Sequence, residues 1–273
     1  MPENPAVDLY LRTMANFLTR FGFESGLAPV ELPERSYESY LLQMVSRSMA
    51  DRQVLLTERV TFDPERRENG EDWPPEAETM VGLKRLRNVR ECAESVIADG
   101  VPGDFLEAGV WRGGTSIYMR AILAAYGVTD RTVWVADSFR GLPEPDERFP
   151  ADADSDFHTF PQLAIPLETV QGNFERYGLL DDQVRFLVGW FADTLPTAPV
   201  EQLALLRLDG DMYSSTIDTL GAMYDKVSVG GYVLVDDYSI PSCAAAVHDF
   251  RDEHGITDPI ETVDWTGRFW RKS

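Results

Sequence analysis

The amino-acid sequence predicts an α/β fold, a doubly wound and mostly parallel sheet, and three observations carry that expectation. From Gly103 onward, short apolar runs alternate with helical patterns: "GDFLEAGV" then "TSIYMRAILAAYG", "LALLRLDGD" then "STIDTLGAMYDKV", "GGYVLVDDYS" then "SCAAAVHDFRDEHG", with "TVWVADSF" and "VRFLVGWF" between. Such β-rich runs joined by helices indicate parallel pairing, because a parallel connection needs a long crossover. The first run leads into a glycine-rich turn at Gly109, Gly113 and Gly114, and four of the runs stop at carboxylates: Glu107, Asp137, Asp209 and the pair Asp236-Asp237.

The elements before Gly103 read differently. "PAVDLYLRTMANFLTRFG" spaces Leu9, Met14, Phe17, Leu18 and Phe21 as an amphipathic helix, and "SYESYLLQMVSRSMADRQVLL" does the same with Tyr37, Leu41, Met44, Val45 and Met49. Between them "GLAPVELPE" reads as a breaker, and "TFDPERRENGEDWPPEAE" as a charged, proline-rich loop. A third helix is expected in "TMVGLKRLRNVRECAESVIADG", on Leu83, Leu86, Val89 and Val96. No flexible linker follows it, so residues 1–100 are expected to be a helical cap on one domain whose α/β core spans 101–273. The tail "IETVDWTGRFWRKS" offers two short runs around "DWTGR", a hairpin that adds an antiparallel edge strand.

Charge and cysteine content narrow the function. Lys and Arg number 25 against 46 Asp and Glu, a net charge of −21, which repels phosphate backbones and anionic membrane surfaces. Neither nucleic acid nor a membrane is therefore expected as a partner. The two cysteines, Cys92 and Cys243, form no C-x-x-C pair, and His158, His248 and His254 lack metal-ligand spacing. With no signal segment or long apolar run, a reduced cytoplasmic protein is the expectation.

Two constellations could carry chemistry. In a doubly wound fold the first strand-to-helix turn faces the ligand crevice, and its glycines let a ligand approach the backbone. Asp137, at the tip of the next strand, is placed to accept ribose hydroxyls. The spacing is not G-x-G-x-x-G, so these residues suggest an adenosine-containing cofactor without a pyrophosphate and disfavour a dinucleotide. Asp209, Asp236 and Asp237 end neighbouring strands at the same edge, where three like charges raise one another's protonation tendency unless a cation neutralises them. Oxygen-only ligation suits Mg²⁺ before Ca²⁺ or Mn²⁺, with Asp211 one shell out. A plainer reading makes all these acids helix caps. No G-x-S-x-G elbow supports a hydrolase.

Taken together, "MVGLKRLRNV", "FLEAGVWRGGTSIYMRA", "VWVADSFRGLP", "NFERYGLLDDQVRFLVGWFADTLP", "LRLDGDMYSST", "GGYVLVDDY" and "VDWTGRFWRK" resemble the macrocin O-methyltransferase (TylF) family, in order from about Asp8 to the C-terminus. The resemblance implies S-adenosylmethionine- and Mg²⁺-dependent methylation of a deoxysugar hydroxyl on a glycosylated natural product, as in antibiotic biosynthesis, by a homodimer or larger homo-oligomer. It implies that Thr79 and Met80 close over the cofactor and that Glu107, Ala108, Gly109, Val110, Trp111, Arg112 and Gly113 line its methionine end. Asp137 would meet the ribose, with Ser138, Phe139, Trp190 and Phe191 at the adenine. Asp209, Asp236 and Asp237 would hold the metal, Asp209 also acting as general base. The segment from Ala28 to Glu65, over the expected acceptor pocket, is longer than the family pattern. A catechol-like acceptor, or a cofactor-binding module without turnover, are the alternatives.

Overall fold

The structure is a computed structural model describing residues 4–23, 25–30, 37–49, 57–74 and 76–273. In chain order the first elements are α1 (Pro5–Leu18), β1 (Ser25–Pro29), α2 (Tyr37–Met49), β2 (Thr57–Thr61), α3 (Pro64–Asn69) and α4 (Leu83–Ala98). There follow β3 (Asp104–Ala108), α5 (Gly114–Ala125), β4 (Val133–Asp137), α6 (Leu167–Arg176), β5 (Val184–Val188), α7 (Phe191–Thr194) and β6 (Leu203–Leu208). The last are α8 (Tyr213–Met223), β7 (Val227–Val235), α9 (Pro241–Glu253), β8 (Glu261–Thr262) and β9 (Arg268–Arg271).

Side-chain alternation sets the layers. In β3, Phe105 joins one apolar cluster and Leu106 and Ala108 the other; in β6, Leu205 divides from Leu206 and Leu208 in the same way. Helices α1, α4 and α5 cover the first face and α8 and α9 the second. The sheet runs β5-β4-β3-β6-β7-β9-β8, parallel from β5 to β7 and antiparallel beyond. Consecutive connections leave β3 for β4 on one side while β6 lies on the other, so a switch point opens above β3. The expected doubly wound sheet is therefore present. The tail does more than add one edge strand: β9 lies between β7 and the two-residue edge β8, and buries Trp270 completely.

The N-terminal region departs from the sequence reading in three places. The apolar stripe of α1 divides: Met14 and Leu18 pack inward with Leu11, whereas Leu9 and Phe17 are more than half exposed. Leu11 was not in the expected stripe, because α1 is apolar around much of its circumference and only packing selects a face. The loop around "TFDPERREN" contains α3, with Asp63 capping the backbone N–H groups of Glu65 and Arg66, Pro64 at its start and Gly70 in the left-handed region at its end. The breaker "GLAPVELPE" contributes β1, whose partner β2 is some thirty residues on (Ser25 opposite Thr61), a distance no local pattern spans. The end of the expected second helix, residues 50–56, lies outside the described residues, as does part of the Ala28 to Glu65 segment. Among the described residues, no helix is long and apolar enough to cross a membrane.

Candidate active site at the carboxyl ends of the strands

Sheet register assembles the charged centre of the site. Glu107 on β3 lies directly opposite Arg207 on β6, and Arg207 is opposite Leu234 on β7, two residues before Asp236. Arg207 is 1 % exposed. Its Nη1 donates to Glu107 Oε1 at 2.6 Å and to Asp209 Oδ2 at 2.7 Å, while its Nη2 donates to Asp236 Oδ1. Helices add two partners: Ser116 of α5 donates to Glu107 Oε2, and Arg85 of α4 donates through Nη1 to Asp236 Oδ2. Strand β7 ends at Val235, and the chain turns there, with the Ile240 N–H bonded to the Asp237 carbonyl at 2.8 Å. That turn brings both adjacent aspartates toward Asp209. One carboxylate oxygen from each of Asp209, Asp236 and Asp237 lies within 4.8 Å of the others.

Above these strands is a cavity of about 310 Å³. It is bounded by the turns after β3, β4, β5 and β6. Gly109 is indispensable to its floor: at φ +89° its backbone passes so near Asp209 that a Cβ would collide with the Asp209 carbonyl oxygen. Three of the four non-glycine residues with positive φ among the described residues, Trp111, Phe139 and Asp211, stand in these same turns. Backbone strain of this kind costs about 1–3 kcal/mol per residue and gathers where the surroundings over-determine a site.

Of the residues singled out from the sequence, Met80, Gly109, Val110, Trp111, Asp137, Ser138, Trp190, Phe191, Asp209 and Asp211 line the cavity. The remainder lie behind it. Thr79 is buried against the start of α5, 3.4 Å from the Thr115 hydroxyl; Ala108 is interior; and Glu107 sits in the ionic cluster below. Arg112 donates to the Ala77 carbonyl at 3.2 Å, Gly113 precedes α5 at φ +84°, and Phe139 packs its ring edge-on to Phe186. Asp137 accepts from the Val110 N–H at 2.8 Å, the Phe139 N–H at 2.7 Å and the Ser138 hydroxyl at 3.5 Å, which shapes both turns. Asp211 donates its N–H to Asp237 Oδ2 at 3.0 Å.

Sequence reasoning passed over Arg207, Arg85 and Asp264, the last accepting from Arg85 Nε at 3.0 Å. For Arg207 a signal was present: an arginine inside the apolar run "LALLRL" falls on a buried face by strict alternation. The far wall was also unforeseen, and includes Leu142, Glu144 and Phe149 from the loop after β4 and Asp218 from α8.

Burial and mutual repulsion raise the acids. The Glu107 carboxyl is pushed up to about 7 by burial, against the pull of Arg207 and the Ser116 hydroxyl. Asp209 is raised by burial and by the Asp236 charge, opposed by Arg207, and Asp237 by burial and the charges of Asp211, Asp209 and Asp236. Burial also raises Asp137, against its backbone N–H partners.

This strand order, with a glycine turn after β3 and an acid at the tip of β4, defines a class I, Rossmann-like methyltransferase fold. The family model described as macrocin-O-methyltransferase (TylF) matches residues 7–272, and the chain belongs to that family of O-methyltransferases. It is 56 % identical over 223 residues to the mycinamicin III 3''-O-methyltransferase of Micromonospora griseorubida, covering 80 % of this chain and 87 % of that one. Identity is 59 % over 204 residues with 8-demethyl-8-(2,3-dimethoxy-alpha-L-rhamnosyl)-tetracenomycin-C 4'-O-methyltransferase of Streptomyces olivaceus, over 74 % of this chain and 78 % of that one. Among solved structures, the O-methyltransferase NovP superposes with a TM-score of 0.84 at 45 % identity, over 98 % of this chain and 99 % of that one.

Proposed function

We propose that the chain transfers the methyl group of S-adenosylmethionine to a hydroxyl of a deoxysugar on a glycosylated natural product, in antibiotic biosynthesis, with a divalent cation held by Asp209, Asp236 and Asp237. The observation that carries this reading is one cavity reaching from Asp137 to Asp209, with the carboxylate trio at the Asp209 end. The relatives named above, acting on mycinamicin and on a rhamnosyl-tetracenomycin, support the acceptor class.

The residues fit a hard cation. All three donors are carboxylate oxygens brought within 4.8 Å of one another, the oxygen-only set that a hard divalent cation takes. Mg²⁺ comes first among such ions, with other divalent cations possible. A bound divalent cation supplies Lewis acidity that lowers the pKa of a chelated sugar hydroxyl. The protein's own groups do the rest. The backbone of Gly109 to Trp111 bounds the methionine end, Asp137 meets the ribose hydroxyls, and Ser138, Trp190 and Phe191 wall the adenine. Asp209, held by Arg207, takes the hydroxyl proton as the oxygen bonds to the methyl carbon and the sulfonium leaves as a neutral thioether. Alignment of donor and acceptor supplies much of the rate, since well-placed reactants gain up to roughly 7–11 kcal/mol.

Residues 1–100 act as a cap on the core of 101–273, in one cytoplasmic chain whose buried cysteines stay reduced. The exposed apolar side chains Leu9 and Phe17 on α1 and Tyr40, Leu41 and Met44 on α2 support a homodimer or larger assembly, which light scattering reads directly. Methyl transfer from S-adenosylmethionine to glycosides and to catechols, with EDTA and then with Mg²⁺, tests the activity. Transfer to a glycoside that EDTA abolishes and Mg²⁺ restores is expected. Preference for catechols, or full transfer in EDTA, overturns the acceptor or the metal assignment respectively.

A further inference from the structure

Arg85 reaches from the first turn of α4 into the wall of the carboxylate site, and it is 8 % exposed. Its guanidinium holds three separate parts of the chain. Nη1 donates to Asp236 Oδ2, Nε to Asp264 Oδ2 at 3.0 Å, and Nη2 to the Gly70 carbonyl at 3.4 Å. Asp264 is itself fixed, its Oδ1 accepting from the N–H groups of Thr266 at 3.0 Å and Gly267 at 2.7 Å. Thr266 in turn donates its hydroxyl to the Asp236 carbonyl at 2.8 Å. The slot is shaped for this side chain: a Cβ on Gly70 would run into Arg85 Nη2, and one on Gly267 would lie 3.1 Å from its Cγ and Cδ.

We propose that Arg85 is a positioning residue that fixes the carboxylate of Asp236 and ties to it the strap of residues 70–74 and 76–82, which carries Met80 into the cavity. The first half rests on the reading of the trio as a cation site; the second half does not. Asp236 has Arg207 on one oxygen and Arg85 on the other, so its carboxylate has a single orientation and presents its remaining lone pairs in one direction. The strap is held at its start by Arg85. Further along, Arg67 Nη2 donates to the Met80 carbonyl at 2.7 Å and the Gly114 N–H to the Glu78 carbonyl at 2.9 Å. Arg85 does not line the cavity, so it acts through Asp236 and the strap.

A cation beside a metal site also repels the metal, and this opposes the gain from orientation. Arg85→Lys separates the two, because it keeps the charge and loses the fork that reaches three acceptors at once. The test measures Mn²⁺ binding to the full chain by the electron paramagnetic resonance of free Mn²⁺, for wild type, Arg85→Lys and Arg85→Met, with thermal unfolding to check the fold. Amide hydrogen exchange over the strap is followed in EDTA. Groups that orient metal ligands affect affinity by about 10–100-fold. Arg85→Lys is expected to bind Mn²⁺ at least about tenfold more weakly, Arg85→Met no more tightly than wild type, and both to lose protection in the strap while β3 and β6 keep theirs. Equal Mn²⁺ affinity in Arg85→Lys with tighter binding in Arg85→Met overturns the proposal, as does unchanged strap protection. If wild type takes no Mn²⁺, the cation-site reading itself fails. Strap exchange in Arg85→Lys then decides, loss of protection upholding the tether and unchanged protection overturning it.

Discussion

Replacing Arg207 by methionine keeps an unbranched stem in the core and withdraws the one guanidinium shared by Glu107, Asp209 and Asp236. Glu107 and Asp236 are themselves buried, with side chains 1 % and 7 % exposed, so water cannot take over the lost contacts. Breaking a buried ion pair from one side costs about 3–5 kcal/mol. At roughly 2.1 cal/mol/K per residue, the unfolding entropy of 273 residues is about 0.6 kcal/mol/K, which converts that loss into a fall in Tm of about 5–9 °C. Proton uptake limits the cost. Glu107 is already pushed up to about 7 with Arg207 present, and without it the carboxyl stays protonated to higher pH, each unit being worth about 1.4 kcal/mol. A carboxyl whose folded pKa is raised stabilises the fold below its unfolded pKa and loses that contribution as pH rises through the folded value. The Tm deficit of Arg207→Met should therefore be small near pH 6 and widest near pH 8. Thermal unfolding by circular dichroism across that range, in EDTA, measures it. A variant as stable as wild type at pH 8, or a deficit that does not change with pH, would refute the claim that Arg207 neutralises this cluster.

Glu107→Gln should remove a titration rather than add one: wild type should lose stability relative to the variant between about pH 4.5 and 7, where its carboxyl is ionised in the unfolded chain but still protonated in the fold, and parallel Tm curves in EDTA would contradict this. Gly109→Ala should lower Tm by several degrees and abolish the thermal shift given by S-adenosylhomocysteine, because the new Cβ meets the Asp209 backbone just past β6. Gly127→Ala is the control, with a similar positive φ of +66° and nothing within 4 Å; equal effects of the two would mean that backbone conformation, not strand approach, sets the cost. Asp137→Ala removes the acceptor for the Val110 and Phe139 N–H groups and the proposed ribose partner, so calorimetry should find S-adenosylhomocysteine bound at least about tenfold more weakly. Unchanged affinity would place the ribose elsewhere.

Legibility followed distance along the chain. Helix α4 was readable from Leu86, Val89 and Val96, all of which are buried, since its pattern repeats within 16 residues. Strand β7 ends at Val235, where its apolar run stops, and because successive strand residues point to opposite faces the two adjacent aspartates can face one point only past that end. Helix α3 carried local signals at Asp63, Pro64 and Gly70 that the surrounding charge and prolines obscured. The β1–β2 pair carried no local signal of its pairing. Trp111, Phe139 and Asp211 adopt positive φ although nothing in their side chains favours it in common, so only the turns around them reveal it.

By itself, then, the sequence determined which acids stand at strand tips. Apolar alternation is a property of a few consecutive residues, and a run that stops at Asp137, Asp209 or Asp236 announces its own end, whereas β3 continues one residue past Glu107. Only the tertiary structure decided what those acids meet. It divided them between a cavity wall, where Asp137 and Asp209 stand, and a buried ionic layer, where Glu107 is paired through sheet register with an arginine 100 positions away. It also brought Arg85 and Asp264, 179 positions apart, onto the flank of Asp236. Counter-charges are chosen by register and helix packing across the whole chain, and neither is a property of any short stretch.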